Sequence, residues 1–95
     1  MKRQVTVVPE EGLHARPAAK FVETANEFDC DLTVKAADDD RDPVDARSML
    51  AVTSLGVAEG DDVVLSAEGD DAEDALDALE EVLSTPEEGD DDGDD

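Results

Sequence analysis

Residues 62–83 read Asp62-Val63-Val64-Leu65-Ser66-Ala67-Glu68-Gly69-Asp70-Asp71-Ala72-Glu73-Asp74-Ala75-Leu76-Asp77-Ala78-Leu79-Glu80-Glu81-Val82-Leu83, and the hydrophobic period changes within them. Val63, Leu65 and Ala67 form the inward face of a strand, because side chains two apart share a face of a sheet. Gly69 and Asp70 break the alternation. Ala72, Ala75, Leu76, Leu79 and Leu83 then recur at helical spacing, while Glu73, Asp74, Asp77, Glu80 and Glu81 occupy the remaining face, which predicts a one-striped helix. A single stripe must be buried against something, and the adjacent strand predicts a sheet as its partner.

The same reading extends upstream. Glu59-Gly60-Asp61 is the turn into this strand. Before it, Ser48 caps a brief helix through Leu55, and Gly56 ends that helix in the left-handed region. Asp42 to Ala46 is a short strand whose Pro43 cannot donate to a ladder and so belongs on a sheet edge. Leu32, Val34 and Ala36 alternate with Thr33 and Lys35 as another strand, followed by the polar turn Asp38-Asp39-Asp40. Ala18, Phe21, Val22 and Ala25 give a helical stripe over Ala15 to Glu27, and Lys2 to Val8 is an alternating strand closed by Pro9 to Gly12. The predicted order is strand, helix, strand, strand, helix, strand, helix. The fold class is α+β: a two-layer sandwich with helices on one face of an antiparallel sheet whose other face meets solvent. Residues 1–85 form the one domain, and 86–95, acidic or glycine almost throughout with nothing apolar to bury, form a disordered tail.

Asp plus Glu number 29 against 7 Lys plus Arg, a formal charge of −22 in 95 residues, which argues against nucleic acid and anionic membranes as partners. Molar salt shortens the Debye length from about 8 Å to about 3 Å, so such a surface suits a halophilic cytoplasm. A generic acidic protein with a disordered tail is the plainer alternative. Only two residues are aromatic, both Phe, so the core must be built from Val, Leu and Ala. Cys30 has no partner for a disulfide and reads as a small buried hydrophobe. The apolar stretch after the basic start ends at Pro9, too short for a signal peptide, and no run reaches membrane-spanning length, so a cytoplasmic protein is expected. One His and one Cys offer no metal-ligand cluster, and neither a metal nor a cofactor is expected.

The only histidine, His14, lies at the junction of a strand-like run and a helix, in Gly12-Leu13-His14-Ala15-Arg16-Pro17-Ala18-Ala19. A helix start presents unpaired N–H groups and the positive end of the helix dipole, a setting that receives an anion such as a phosphoryl group. Arg16 adds a fork of donors suited to phosphate, and Pro17 suits the first helical position. An imidazole is also a nucleophile able to carry a phosphoryl group, whereas a histidine that merely caps the helix is the alternative. Lys20 lies one turn from Arg16, and either serves the same anion or pairs with Glu23 or surface Asp residues. Ser48 is a phosphorylation candidate or a plain N-cap. Met49 and Leu50 are core residues, unless one of them is exposed to a partner.

These blocks, together with Asp45-Ala46-Arg47-Ser48-Met49-Leu50, Thr53-Ser54-Leu55-Gly56 and Val64-Leu65-Ser66-Ala67-Glu68-Gly69-Asp70-Asp71-Ala72, occur in an order that resembles the HPr family, the histidine-containing phosphocarriers of the phosphoenolpyruvate-dependent sugar phosphotransferase system. The resemblance spans residues 2 to 84. It implies an HPr-like open-faced β-sandwich, four antiparallel strands with three helices on one face. It implies a stoichiometric phosphocarrier rather than an enzyme, monomeric, taking a phosphoryl group from enzyme I on the Nδ1 atom of His14 and passing it to an enzyme IIA domain. Arg16 matches the arginine that supports the phosphohistidine. Ser48 falls where a dedicated HPr kinase acts in some lineages, and Lys20, Arg47, Met49 and Leu50 are expected at the partner interface. Family members often carry more basic residues here, whereas Glu23, Asn26 and Ala51 stand where lysine can occur, so charge steering should be weak. The alternatives are a regulatory HPr-like protein, a phosphoryl donor to a dihydroxyacetone kinase or a nitrogen-control branch, and, from another class, an acyl carrier protein. The strand at Lys2 to Val8 and the lack of an aspartate before Ser48 disfavour the last.

Overall fold

The computed structural model describes residues 1–38 and 40–86. Strands β1 (Lys2–Thr6), β2 (Asp31–Ala36), β3 (Val44–Asp45) and β4 (Asp62–Glu68) alternate with helices α1 (Ala15–Ala25), α2 (Met49–Thr53) and α3 (Ala72–Ser84) in the predicted order. The sheet order is β1-β4-β2-β3, antiparallel throughout. Placing β4 in the centre sets Val5 opposite Val63 and Val34 opposite Leu65, so the inward residues of three strands form one apolar face. Onto it pack Ala18, Phe21 and Ala25 of α1 and Ala75, Leu76, Leu79 and Leu83 of α3, all buried. The opposite face, with Lys2, Gln4, Thr6, Thr33, Lys35, Val64 and Ser66, is exposed or half-buried.

Several elements end earlier than their sequence patterns. The expected strand from Lys2 to Val8 stops at Thr6 because the chain leaves the ladder: Val7 N–H donates to Asp61 O (2.9 Å) and Val8 N–H to Leu83 O (2.8 Å). Helix α1 ends at Ala25 rather than Glu27, its last turn tightened by Glu27 N–H to Thr24 O (3.0 Å) and by the Asn26 side chain on Val22 O (3.0 Å). The edge strand keeps only Val44 and Asp45, as expected beside a proline without a donor. Helix α2 stops at Thr53, and Leu55 and Gly56 follow through i→i+3 bonds, with Gly56 left-handed at φ +69°. The predicted tail from Glu87 on and Asp39 of the acidic turn lie outside the described residues.

The segment between β1 and α1 is held from below. Gly12 turns at φ +71°, and a Cβ built there would lie 2.6 Å from Val57 O, so the backbones touch where a side chain would stand. Leu13 N–H donates to that carbonyl (3.0 Å), and the Leu13 side chain is fully buried. His14 therefore follows a residue with little freedom to move.

Gly12→Ala and Gly56→Ala separate conformational strain from contact. Both positions are left-handed, but Gly56 has open space around its missing Cβ. Gly56→Ala should cost about 1 kcal/mol and Gly12→Ala clearly more, about 3 kcal/mol, in chemical denaturation at constant salt. Equal losses would contradict the close approach to Val57.

Candidate functional site

His14 occupies the N-cap position of α1 with an extended backbone (φ −137°, ψ 166°), yet its ring makes no capping hydrogen bond. The capping alternative is thereby set aside, and the half-buried imidazole is not spent on holding the helix. The first helical residue, Ala15, has φ +50°, the one left-handed non-glycine among the described residues. An L-residue there costs about 1–2 kcal/mol, strain concentrated between His14 and Arg16. Nothing in an alanine announces this. Pro17 stands third in the helix rather than first, still within the turn where a missing N–H breaks no helical bond.

No acidic residue lies in the first turn of α1, whereas α3 begins with Glu73 and Asp74. In a chain with 29 carboxylate side chains, the positive pole of α1 is left uncompensated by its own sequence. Arg16 and Lys20, both exposed, line a cleft of about 650 Å³ between α1 and the end of α3, with Pro9, Pro17, Thr24, Glu81, Val82 and Pro86 among its walls. His14 is not among the lining residues; Arg16 and Pro17 connect the cleft to the helix start. Among the described residues Lys20 forms no ion pair, with Glu23 or any Asp.

The second block of the sequence divides into structural and exposed parts. Ser48 is the N-cap of α2, its Oγ accepting from Ala51 N–H (3.2 Å). Arg47, expected at the partner interface, also serves the fold. Its Nη2 donates to Phe28 O and to Cys30 O (2.7 Å), which fastens the α1–β2 connection to the start of α2. A guanidinium held by two carbonyls is a structural brace, and its side chain is half-buried. Met49 is 40% and Leu50 80% exposed, so both members of the pair face outward. Since α1 and α2 pack together, the His14 helix and this apolar pair belong to one side of the molecule. Cys30 is buried as expected, and burial, with a hydrogen bond to Asp71, pushes its thiol pKa up, away from the reactive thiolate.

Among the described residues no group of His, Cys, Asp and Glu is arranged to hold a metal, and no helix is long and apolar enough to cross a membrane. Residues 1–85 match the family described as the PTS HPr component phosphorylation site. The phosphocarrier protein HPr of Haloferax volcanii is 69% identical over 87 residues, which is 92% of this chain and 97% of that protein. Its halophilic source agrees with the reading of the acidic surface. The crystal structure of a phosphocarrier protein HPr from Bacillus anthracis superposes with a TM-score of 0.81 at 37% identity, covering 88% of this chain and 96% of that one. A structure described as an HPr dimer, from Thermoanaerobacter tengcongensis, matches at 49% identity and TM-score 0.66 over 76% of this chain and 79% of its own.

Because Ser48 Oγ satisfies an N–H of α2, Ser48→Ala should lower stability by about 1 kcal/mol, while Ser48→Asp, which also caps, should retain most of it. Thermal unfolding of the three proteins at equal salt measures the difference.

Proposed function

Because the chain belongs to the HPr family, whose members are phosphocarriers of the phosphotransferase system, we propose that His14 is the residue that carries the phosphoryl group. The observation that supports this most directly is the pairing of an imidazole unused in capping with a helix start free of acidic residues. The Nδ1 lone pair of the neutral ring attacks phosphorus, the bond from phosphorus to the donor breaks, and a phosphorus–nitrogen bond forms. Its anionic oxygens gain the N-terminal field of α1 and the guanidinium of Arg16. Onward transfer is the same displacement in reverse: the recipient's nucleophile attacks and the electron pair returns to the ring.

Enzyme I is the donor and an enzyme IIA domain the recipient in this reading, which makes the chain a stoichiometric carrier with no turnover of its own, working as a cytoplasmic monomer. Leu50 and Met49 supply the apolar contact with both partners, and Lys20 supports it with charge; Arg47 is omitted because it is spent on backbone carbonyls. Ser48 is the site an HPr kinase would modify. A phosphate there would replace a cap that is already satisfied, so phosphorylation would act on partners rather than by building the helix.

Incubation with phosphoenolpyruvate and enzyme I should leave acid-labile phosphate on the protein, and His14→Ala should abolish it. Undiminished labelling of that variant would refute the assignment. Arg16→Ala should accept phosphate about 10²-fold more slowly, the usual loss for one donor aimed at developing charge. Leu50→Glu should weaken transfer with His14 intact. With few bases to steer encounter, the transfer rate should fall less than about tenfold from about 0.15 M to about 1 M KCl.

A further inference from the structure

The two edges of the sheet differ. β3 has two residues and follows Pro43, which blunts that edge. β1 has five residues, holds neither a proline nor an acid, and among the described residues pairs with β4 alone. The ladder shows which of its backbone groups are spent. Met1 and Ala67 exchange both bonds, the Met1 amine donating to Ala67 O (2.9 Å) and Ala67 N–H to Met1 O (2.8 Å), and Val7 N–H donates to Asp61 O (2.9 Å). Bonded residues alternate along an antiparallel pair, so Arg3 and Val5 turn their N–H and C=O groups to β4. Lys2, Gln4 and Thr6 turn theirs outward.

The strand's own side chains are drawn away from this edge. Gln4 Nε2 and Thr6 Oγ1 both donate to the Asp62 carboxylate of β4 (2.9 and 2.6 Å), which pulls them back over the sheet. Arg3 is held by Asp77 (2.6 Å) and Glu80 (2.9 Å) of α3. Lys2 is exposed and, among the described residues, forms no ion pair. Of the four strands only β1 lacks a carboxylate of its own, and the acids that reach it are engaged by Gln4, Thr6 and Arg3. On a body of net charge −22, this edge therefore favours an acidic segment locally, at Lys2.

We propose that the outer edge of β1 docks an extended peptide segment of a partner protein, which adds as a fifth strand antiparallel to β1 with a carboxylate beside Lys2. Main-chain bonds to Lys2, Gln4 and Thr6 supply the affinity, and the contact with Lys2 sets the direction of the segment. Five residues, about 17 Å when extended, cover the strand. Beside Gln4 and Thr6 the segment carries hydroxyl or β-branched side chains, which pair well across strands. Beside Arg3, already matched by two acids, it carries an uncharged one. β1 and β3 lie at opposite edges of the sheet, and α2 packs with β3, so an occupied β1 edge leaves Met49 and Leu50 open. The docking is independent of any chemistry at His14.

The probe is the peptide acetyl-Gly-Thr-Val-Thr-Val-Glu-Gly-amide, whose Glu falls opposite Lys2 when it runs antiparallel to β1. Amide hydrogen exchange of the full-length protein is measured with and without an excess of it. Exchange at Gln4 and Thr6 should slow about tenfold, while Arg3 and Val5, already bonded to β4, should change less than about twofold. Gln4→Pro removes one outward N–H and leaves the β4 ladder whole, so the variant should keep Arg3 and Val5 protected and bind no peptide. N-methylation of the peptide's central Thr should abolish the slowing in the native chain, whatever the variant's folding. Replacing the peptide's Glu by Lys should weaken binding about threefold at about 0.15 M KCl and leave it unchanged at about 1 M. Unchanged exchange at Gln4 and Thr6 would overturn the site, as would slowing that survives N-methylation or tighter binding of the Lys peptide. Slowing that grows with protein concentration in the absence of peptide would also overturn it, since the occupant would then be a second copy of this chain.

Discussion

The hydrogen bond from Leu13 N–H to Val57 O governs the rest of this molecule's working surface. It joins the segment before α1 to the segment after α2, and the contact is close enough that only glycine fits at position 12. With Leu13 buried beneath it, His14 is delivered to the start of α1 by the core rather than by the helix. That explains how the ring can sit at an N-cap without capping. The helix needs no side chain to hold its start when the residue before the cap is anchored, so the imidazole is released for other use.

Charge is distributed with the same economy. The protein has seven bases; Arg3 fastens β1 to α3, Arg41 reaches Leu55, and Arg47 braces the start of α2. Arg16 and Lys20 alone line a common cleft. In a body this acidic, a site for an anion is created less by adding positive charge than by withholding negative charge. The first turn of α1 lacks acids while that of α3 has Glu73 and Asp74, although both helices bury an apolar stripe of the same kind. The difference follows from what each N-terminus faces. Acids stabilise an ordinary helix start, and they would repel an anion from one that receives it, as proposed for His14.

Most of the fold was legible in residues whose spacing is set by burial. The alternation of Val63, Leu65 and Ala67 and the stripe through Ala72, Ala75, Leu76, Leu79 and Leu83 identified the central strand and its covering helix, because both periods are imposed by one apolar face. Boundaries were less legible. Val7 and Val8 continue the alternating pattern but bond to Asp61 and Leu83, a tertiary choice that periodicity does not encode. At the site, His14 and Arg16 were marked by type and position, whereas the left-handed Ala15 between them was invisible, since alanine carries no sign of the conformation imposed on it. The contacts of Arg47 with the carbonyls of Phe28 and Cys30 were invisible for a related reason: they are a tertiary choice that no spacing encodes.

On the function proposed above, a carrier that must bind one partner and leave for another cannot hold either tightly, and the exposed pair on α2 would suit that requirement. Burying a side chain such as Leu50 is worth about 1.5–3 kcal/mol, enough to orient an encounter and too little to trap it. Salt acts oppositely on the two components of such a contact. It screens charge pairs, while kosmotropic salts strengthen apolar burial. A surface that keeps Leu50 80% exposed would, on the interface proposed above, shift recognition toward the component that concentrated salt preserves. On the function proposed for His14, the scarcity of bases around it would then be a condition of working in salt: charge would be kept where the phosphoryl group is held, and association left to hydrocarbon.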